Sequence, residues 1–290
     1  MNNLNNAVTR FQAAMLDQGI TPPDTLVGDS VLHRFYVEGD RKGTLNGAYT
    51  LHLDAWPSGW AMNFKAGVSF TWTLSGKKEP LTPAVKRQID YAKEVRQLEQ
   101  AKAHQAAALK AYWIWQQAEP ITDPSQHPYL VRKRVQPHGT RLYKGSLAIP
   151  LVDETGQLVN IQFIHADGTK RFLSGGKKKT CYHLLGGDGS KLLVAEGFAT
   201  ACSINEQTLY AVYVAFDCGN LKDVAVLAAK QAAKSNLSTE VIVCGDNDVS
   251  GIGQKAAREA ALACGGKFIV PPNPDTDFND YVCNGGVIHG

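Results

Sequence analysis

The feature that most restricts this chain is an alternation in its C-terminal third. Four apolar runs, "KLLVAEG", "YAVYVAF", "EVIVCGD" and "KFIVPP", are separated by the stretches "FATACSINEQ", "LKDVAVLAAKQAAKS" and "GIGQKAAREAALACG", which have helical spacing. A short strand that is apolar at every position, not at every second one, must be buried on both faces. A parallel sheet with helices on both sides does this to several strands in succession. An α/β layer is therefore expected from about Lys191 onward.

The preceding two thirds read differently. Residues 4–19 have helical spacing and stop at Gly19. Residues 31–74 break into short β-rich pieces, "HRFYVEGD", "GAYTLHLDAW", "GWAMNFKAG" and "SFTWTL", divided by Gly, Asp and Pro. They predict a small antiparallel sheet. Its aromatics (Phe35, Tyr36, Tyr49, Trp56, Trp60, Phe64, Phe70, Trp72) are expected as core, with a stacking surface for bases as the alternative. Residues 82–118, rich in Ala, Lys, Gln and Glu, predict a long helix linking two modules, its charges a solvated face. The prolines of "PITDPSQHPYLVRKRV" reset the chain. "GSLAIPLVDETGQLVNIQFI" reads as a hairpin around a DETG turn, and "GTKRFLSGGKKKTCYHLL" is basic and glycine-rich. Four segments follow: an N-terminal helix plus β-rich module (1–78), a helical linker (79–119), a basic α+β segment (120–188) and the α/β domain (189–290).

Composition excludes more than it selects. With 30 basic and 27 acidic residues the net charge is +3, too mild to point to nucleic acid without local clusters. The six cysteines begin only at Cys181 and no pair has CxxC spacing. Neither structural zinc nor a redox dithiol is expected, and a reduced, cytoplasmic protein is the simplest reading. No segment resembles a signal peptide or a membrane span. A Walker-type GxxxxGK[ST] is missing, "GDNDVSGIGQKAA" lacks GxGxxG spacing, and the eight histidines show no HExxH.

Chemistry gathers where the apolar runs end. In an open α/β sheet ligands sit at the carboxyl ends of the strands. "LLVAE" ends in Glu196, "VIVCGDND" in Asp246 and Asp248, and "PDTDFND" adds Asp275, Asp277 and Asp280. Asp246 and Asp248 stand at i and i+2, so in extended chain both project to one side. Carboxylates facing one point repel unless a cation lies between them, and hard dications such as Mg²⁺ take such oxygens together with water and substrate phosphates. The competing reading is that GDND is only a turn, which its Gly, Asn and Asp favour. Gly197, next to Glu196, is expected to mark a sharp strand-to-helix turn with little room for a side chain.

The order Glu196-Gly197, "GDNDVSG" at 245–251 and "DFND" at 277–280 resembles the Toprim domain of bacterial DnaG-type primases, topoisomerases and some nucleases. "EGFATA" at 196–201 is similar to the EGYATA motif of satellite-phage and conjugative-plasmid primases, with Phe198 in place of Tyr. "RLYKGSLAIPLVDETGQLVNIQFI" and "TKRFLSGGKKKTCYHLLG" look like the N-terminal half of the DnaG-type polymerase core with its basic motif. The resemblance covers about residues 125–285, and residues 31–76 match more loosely the region ahead of the core in mobile-element primases.

The resemblance implies a Toprim α/β domain behind a basic α+β primase-core subdomain and a β-rich N-terminal module. It implies a DNA primase making short RNA on single-stranded DNA from ribonucleoside triphosphates, for a plasmid, phage or integrative element, with a replicative helicase or other replication protein as partner. Glu196, Asp246 and Asp248 would be catalytic and hold Mg²⁺ or Mn²⁺, with Asp277 and Asp280 as further metal ligands. Lys170 and Arg171 match the basic motif; Lys177, Lys178 and Lys179 would extend it, and Arg132, Lys133 and Arg134 would do likewise, on template or nucleotide phosphates. The chain departs from the DnaG pattern at Thr200, where a second acid often stands, and carries no zinc ribbon before Cys181. Template recognition is then expected from the β-rich N-terminal module, from a partner, or not at all. The alternatives are a Toprim-type metal-dependent nuclease and a non-catalytic single-strand-binding replication accessory protein.

Overall fold

Hydrophobic spacing lays down the first elements. The computed structural model describes residues 2–40, 43–54, 56–74, 83–234 and 239–289, in two units, Met1–Leu98 and Glu99–Gly290. In the first unit a helix, α1 (Asn2–Asp17), precedes four strands, β1 (His33–Phe35), β2 (Gly47–His52), β3 (Ser58–Asn63) and β4 (Val68–Thr73). They pair antiparallel in chain order. The period-two alternation of strands puts Tyr49, Leu51, Ala61, Phe70 and Trp72 on one face with Phe11 and Met15 of α1. Phe11 anchors the contact, 6.0 Å from Phe70 and 5.4 Å from Trp72 between ring centroids. The aromatic expectation therefore splits. Phe35, Tyr49, Phe70 and Trp72 are core, whereas Tyr36 and Phe64 are 49% and 36% exposed. Trp60 is half-buried and points to the face away from α1, between Thr50 and Thr71. The expected segment boundary at 78/79 lies outside the described residues.

The long helix forms as expected, as α2 (Pro83–Gln117). Within the second unit its residues Ala107, Ala111 and Ile114, spaced by four and three, bury against Ala148, Ile161 and Leu173. The chain then runs through β5 (Glu119–Pro120), α3 (Pro128–Lys133), β6 (Arg141–Tyr143), β7 (Ser146–Val152), β8 (Leu158–Ile164) and β9 (Lys170–Phe172). The five strands form an antiparallel sheet in chain order. The β7–β8 hairpin turns at DETG, where Asp153 Oδ1 accepts from the Thr155 and Gln157 amides at 2.9 and 3.2 Å.

The remaining elements are β10 (His183–Leu185), β11 (Lys191–Ala195), α4 (Phe198–Thr208), β12 (Ala211–Val214), α5 (Cys218–Lys234), β13 (Glu240–Cys244), α6 (Ile252–Cys264), β14 (Lys267–Ile269) and α7 (Phe278–Cys283). The sheet order is β10-β12-β11-β13-β14, parallel throughout except for β10, an antiparallel edge strand. The unbroken apolar runs now have their cause. Leu193, Ala195, Val212, Val214 and Cys244 pack with Phe198, Ile204 and Phe278 of α4 and α7. Their neighbours Val194, Tyr213, Val241 and Val243 pack with Leu221, Val224, Ala257 and Ala260 of α5 and α6. The first of these cores also takes in Leu147, Ile149 and Leu151 of β7, so the middle sheet and the parallel sheet share buried surface.

Candidate active site

Strand order sets the site. β11 lies between β12 and β13, and Ala195 is level with Cys244, the last residue of β13. Glu196 leaves the sheet one residue after that level and Asp246 two residues after it, so acids 50 positions apart in sequence emerge from adjacent strands. On the other side the Phe216 amide donates to the Glu196 carbonyl at 2.7 Å, extending the β12 pairing past its end. Phe216 does so at φ 71, in the left-handed region that a bulky residue adopts only when its surroundings force it. Its ring stands edge-on to Phe172, 6.0 Å away, and lines the site.

The cavity there is about 240 Å³. Its lining brings together the acids Glu196, Asp246 and Asp277 and the basic residues Lys170, Arg132 and Lys133. Burial, then the charges of Asp246 and Asp217, push the Glu196 carboxyl up to about 7; Lys170 and the Cys218 amide at the start of α5 oppose this. Burial, then Asp277 and Asp248, push Asp246 up to about 6. Lys170 is exposed as a whole residue, and what burial it has lowers its pKa against the pull of Glu196. Asp246 Oδ1 is buried and has no hydrogen-bond partner. An orphaned carboxylate oxygen among mutually repelling acids is the donor set a hard cation would satisfy. Among the described residues no three His, Cys, Asp or Glu side chains form a ready-made metal cage. Mg²⁺ needs less than a cage, since it keeps several waters and takes one or two carboxylates plus substrate phosphates.

The other acids have protein partners. Asp248 lies close enough to raise the Asp246 pKa, but its own carboxylate caps α6. Oδ2 accepts from the Gly253 amide at 2.7 Å, and Oδ1 from the Ile252 amide at 3.3 Å and from the Ser250 hydroxyl. Burial works to raise its pKa, but these hydrogen bonds prevail and hold it below the usual carboxylate value. Asp277 caps α7 through the Asp280 amide (2.8 Å) and accepts from Thr200 Oγ1 (3.2 Å). Thr200, where DnaG-type enzymes often carry an acid, thus serves Asp277 as a donor. Asp280 pairs with Lys133 Nζ at 3.0 Å, and Asp275 lies outside the cavity lining.

The basic residues divide in the same way. Arg132 donates to the Ala166 carbonyl (3.0 Å) while lining the cavity, and Arg134 donates to the Cys283 carbonyl (3.0 Å) outside it. Arg171, Lys177, Lys178 and Lys179 are not in the lining. Lys178 forms an ion pair with Asp217, and Lys179 approaches Asp223 at 3.8 Å, so acids of the α5 region hold two of the three lysines. The Lys177 carbonyl accepts from Asn160 Nδ2 at 3.0 Å.

Two glycines reverse the sequence expectation. Gly197 has extended backbone (φ −102, ψ 152), and a Cβ there would meet Thr200 Oγ1 at 3.4 Å and Lys170 Nζ at 3.9 Å, ordinary contacts. The lack of room lies at Gly253, where a Cβ would come within 2.6 Å of Asp248 Oδ2 and 2.7 Å of the Asp246 carbonyl. Sequence reasoning also missed Tyr129, Phe216 and Asp217, which no motif marks. Asn279 was visible only as a letter of DFND; it is fully buried and donates to the Lys133 carbonyl (2.7 Å) and Ser203 Oγ (2.9 Å).

Residues 191–287 match the Toprim domain family. The chain is 36% identical over 266 residues to a DNA primase TraC of Escherichia coli, covering 84% of this chain and 24% of that protein. A second Escherichia coli DNA primase TraC is 35% identical over 289 residues, covering 90% of this chain and 19% of that protein. The chain thus spans about a quarter or less of the length of these relatives. Among solved structures, the primase fragment of the bacteriophage T7 primase-helicase protein aligns with a TM-score of 0.41 and 19% identity over 54% of this chain and 69% of that one.

Proposed function

We propose, on the premise that residues 191–287 are a Toprim domain, that this chain is a DNA primase. It makes short RNA primers on single-stranded DNA by metal-assisted nucleotidyl transfer, in the replication of a plasmid, phage or integrative element. The observation that carries this reading is the convergence in one cavity of Glu196 and Asp246, both averse to bearing charge, with Lys170, Arg132 and Lys133. A pure anion-binding site has no use for the acids, and a pure cation site has no use for three basic side chains.

Glu196 and Asp246, with Asp248 beside them, would hold Mg²⁺ or Mn²⁺. The bound cation supplies charge stabilisation at the phosphates. Lys170, Arg132 and Lys133 orient the incoming triphosphate and neutralise its charge. A 3′-hydroxyl attacks the α-phosphorus, the new P–O bond replaces the bond to pyrophosphate, and pyrophosphate leaves. Without a cation Glu196 is pushed up to about 7, so binding the cation at neutral pH would release its proton. Phe216 and Tyr129 wall the cavity with aromatic surface and limit water. The cytoplasm is the compartment, and a replicative helicase or other replication protein is the partner; among the described residues no helix is long and apolar enough to cross a membrane.

The test is ribonucleotide incorporation on a panel of single-stranded templates with Mg²⁺ or Mn²⁺. Wild type should yield short oligonucleotides and Asp246→Asn none. Metal-dependent DNA cleavage without nucleotides would replace this reading with a nuclease.

A further inference from the structure

We propose that the face of the β1–β4 sheet opposite α1 binds single-stranded DNA, with Trp60 as its stacking platform. The choice of ligand rests on the priming function proposed above; the surface itself rests on the register of the sheet.

Pairing places Trp60 between Thr50 of β2 and Thr71 of β4. In the adjacent row Met62 lies between Ala48 and Ser69, with Arg34 at the end of the row on β1. Short side chains flank the half-buried indole on both sides. Arg34, Ser69 and Thr71 are exposed, so this face meets solvent. The Arg34 guanidinium lies 4.3 Å from the centroid of the Phe64 ring, a second flat surface beside the same row.

Charge and area select the ligand. The four strands contain no Asp or Glu. Asp29, bridged to His52, holds its carboxylate on His33 at 2.8 Å. A face with hydroxyls, an arginine and no carboxylate accepts a polyanion without repulsion. Trp60 and Met62 are the only large apolar side chains that these strands present on it, too few for the buried centre of a stable protein interface. A half-buried aromatic flanked by exposed, small polar residues offers a base a ring to stack on whatever the base's identity.

The experiment uses the full chain with EDTA, which keeps metal-dependent binding out of the measurement. Binding of a fluorescein-labelled dT oligomer of about 15 nucleotides is followed by anisotropy at low salt, and intrinsic fluorescence reports quenching. Trp60→Ala should weaken binding roughly tenfold, the scale of one lost base–aromatic stack. Trp60→Phe should keep affinity within about threefold and lose part of the quench, because the smaller ring still stacks but does not report. Thr71→Asp, on an exposed side chain, should also weaken binding roughly tenfold by placing a carboxylate beside the indole, with an unchanged thermal melt. If Trp60→Ala and Thr71→Asp both bind like wild type, the platform is wrong, even where wild type makes primers. If wild type makes no primer yet its DNA binding depends on Trp60, the priming reading is wrong and the platform stands.

Discussion

At the scale of single residues, the site is defined by two acids that fold into it at a cost. Glu196 moves from an ordinary value of 4.5 to about 7. Its contribution to stability is therefore full below about pH 4.5 and lost as pH rises through 7, to an extent of up to about 3 kcal/mol. Without metal, wild type should melt lower at pH 8 than at pH 5.5, and Glu196→Gln should flatten that difference while abolishing nucleotide transfer. Because a cation must displace the protons, stabilisation by Mg²⁺ should be absent near pH 5 and grow through pH 6–7.5, the range set by Glu196 at about 7 and Asp246 at about 6. Calorimetry with and without the ion reads both effects; a pH-independent Mg²⁺ shift would remove Glu196 and Asp246 as its ligands. Asp280 belongs to a different circuit, since its carboxylate is on Lys133. Asp280→Asn should leave the Mg²⁺ shift intact and weaken nucleotide binding through a less firmly held Lys133. The acids were legible in sequence because each follows an apolar run, and such a position needs no partner to be read. The pairing of Lys133 with Asp280 was not, because it joins residues 147 positions apart and only the packing of α3 against α7 brings them together.

At the scale of elements, the loop between β13 and α6 shows what the spacing of two acids does not carry. The i, i+2 argument treats Asp246 and Asp248 as equal ligands in extended chain. The chain is indeed extended at Asn247, which bridges to Thr276, but α6 begins so soon afterwards that its first amides take the Asp248 carboxylate. Gly253 makes that close approach possible. Gly253→Ala should cost about 1–3 kcal/mol and at least tenfold in activity, because the new methyl displaces Asp248 or the Asp246 backbone. Gly197→Ala, at an extended position with ordinary clearance, should stay within about 1 kcal/mol of wild type. Urea melts of the two variants make the comparison, and equal losses would contradict it. The strands and helices of the parallel sheet were readable because burial on both faces leaves continuous apolar runs. The two- and three-residue strands β5, β6, β9 and β10 were not read as strands, because so short a strand carries no periodicity of its own; the equally short β1 and β14 were read from the longer runs around them.

At the scale of the whole molecule, chemistry and platform fall into different units: the acids in Glu99–Gly290, Trp60 in Met1–Leu98. Residues 99–290 retain Ala107, Ala111 and Ile114, the α2 side chains that bury against the middle sheet. Expressed alone, they should unfold cooperatively and keep the Mg²⁺ shift, while binding the dT oligomer at least tenfold more weakly than the full chain, an effect that titration of both proteins would measure. The change from alternating to continuous apolar runs falls near Lys191, inside the second unit, and the core shared there by the middle and parallel sheets has no local signature. The clamp of α7 on α3 has a further consequence, for the order in which the protein is made. Lys133 leaves the ribosome long before Asn279 and Asp280, which fix its backbone and its ammonium. A nascent chain that has already emerged past Glu196 and Asp246 still lacks that wall of its cavity. The cationic wall of the cavity is therefore completed only once residue 280 has emerged, and a nascent chain that stops short of it holds Lys133 unfastened.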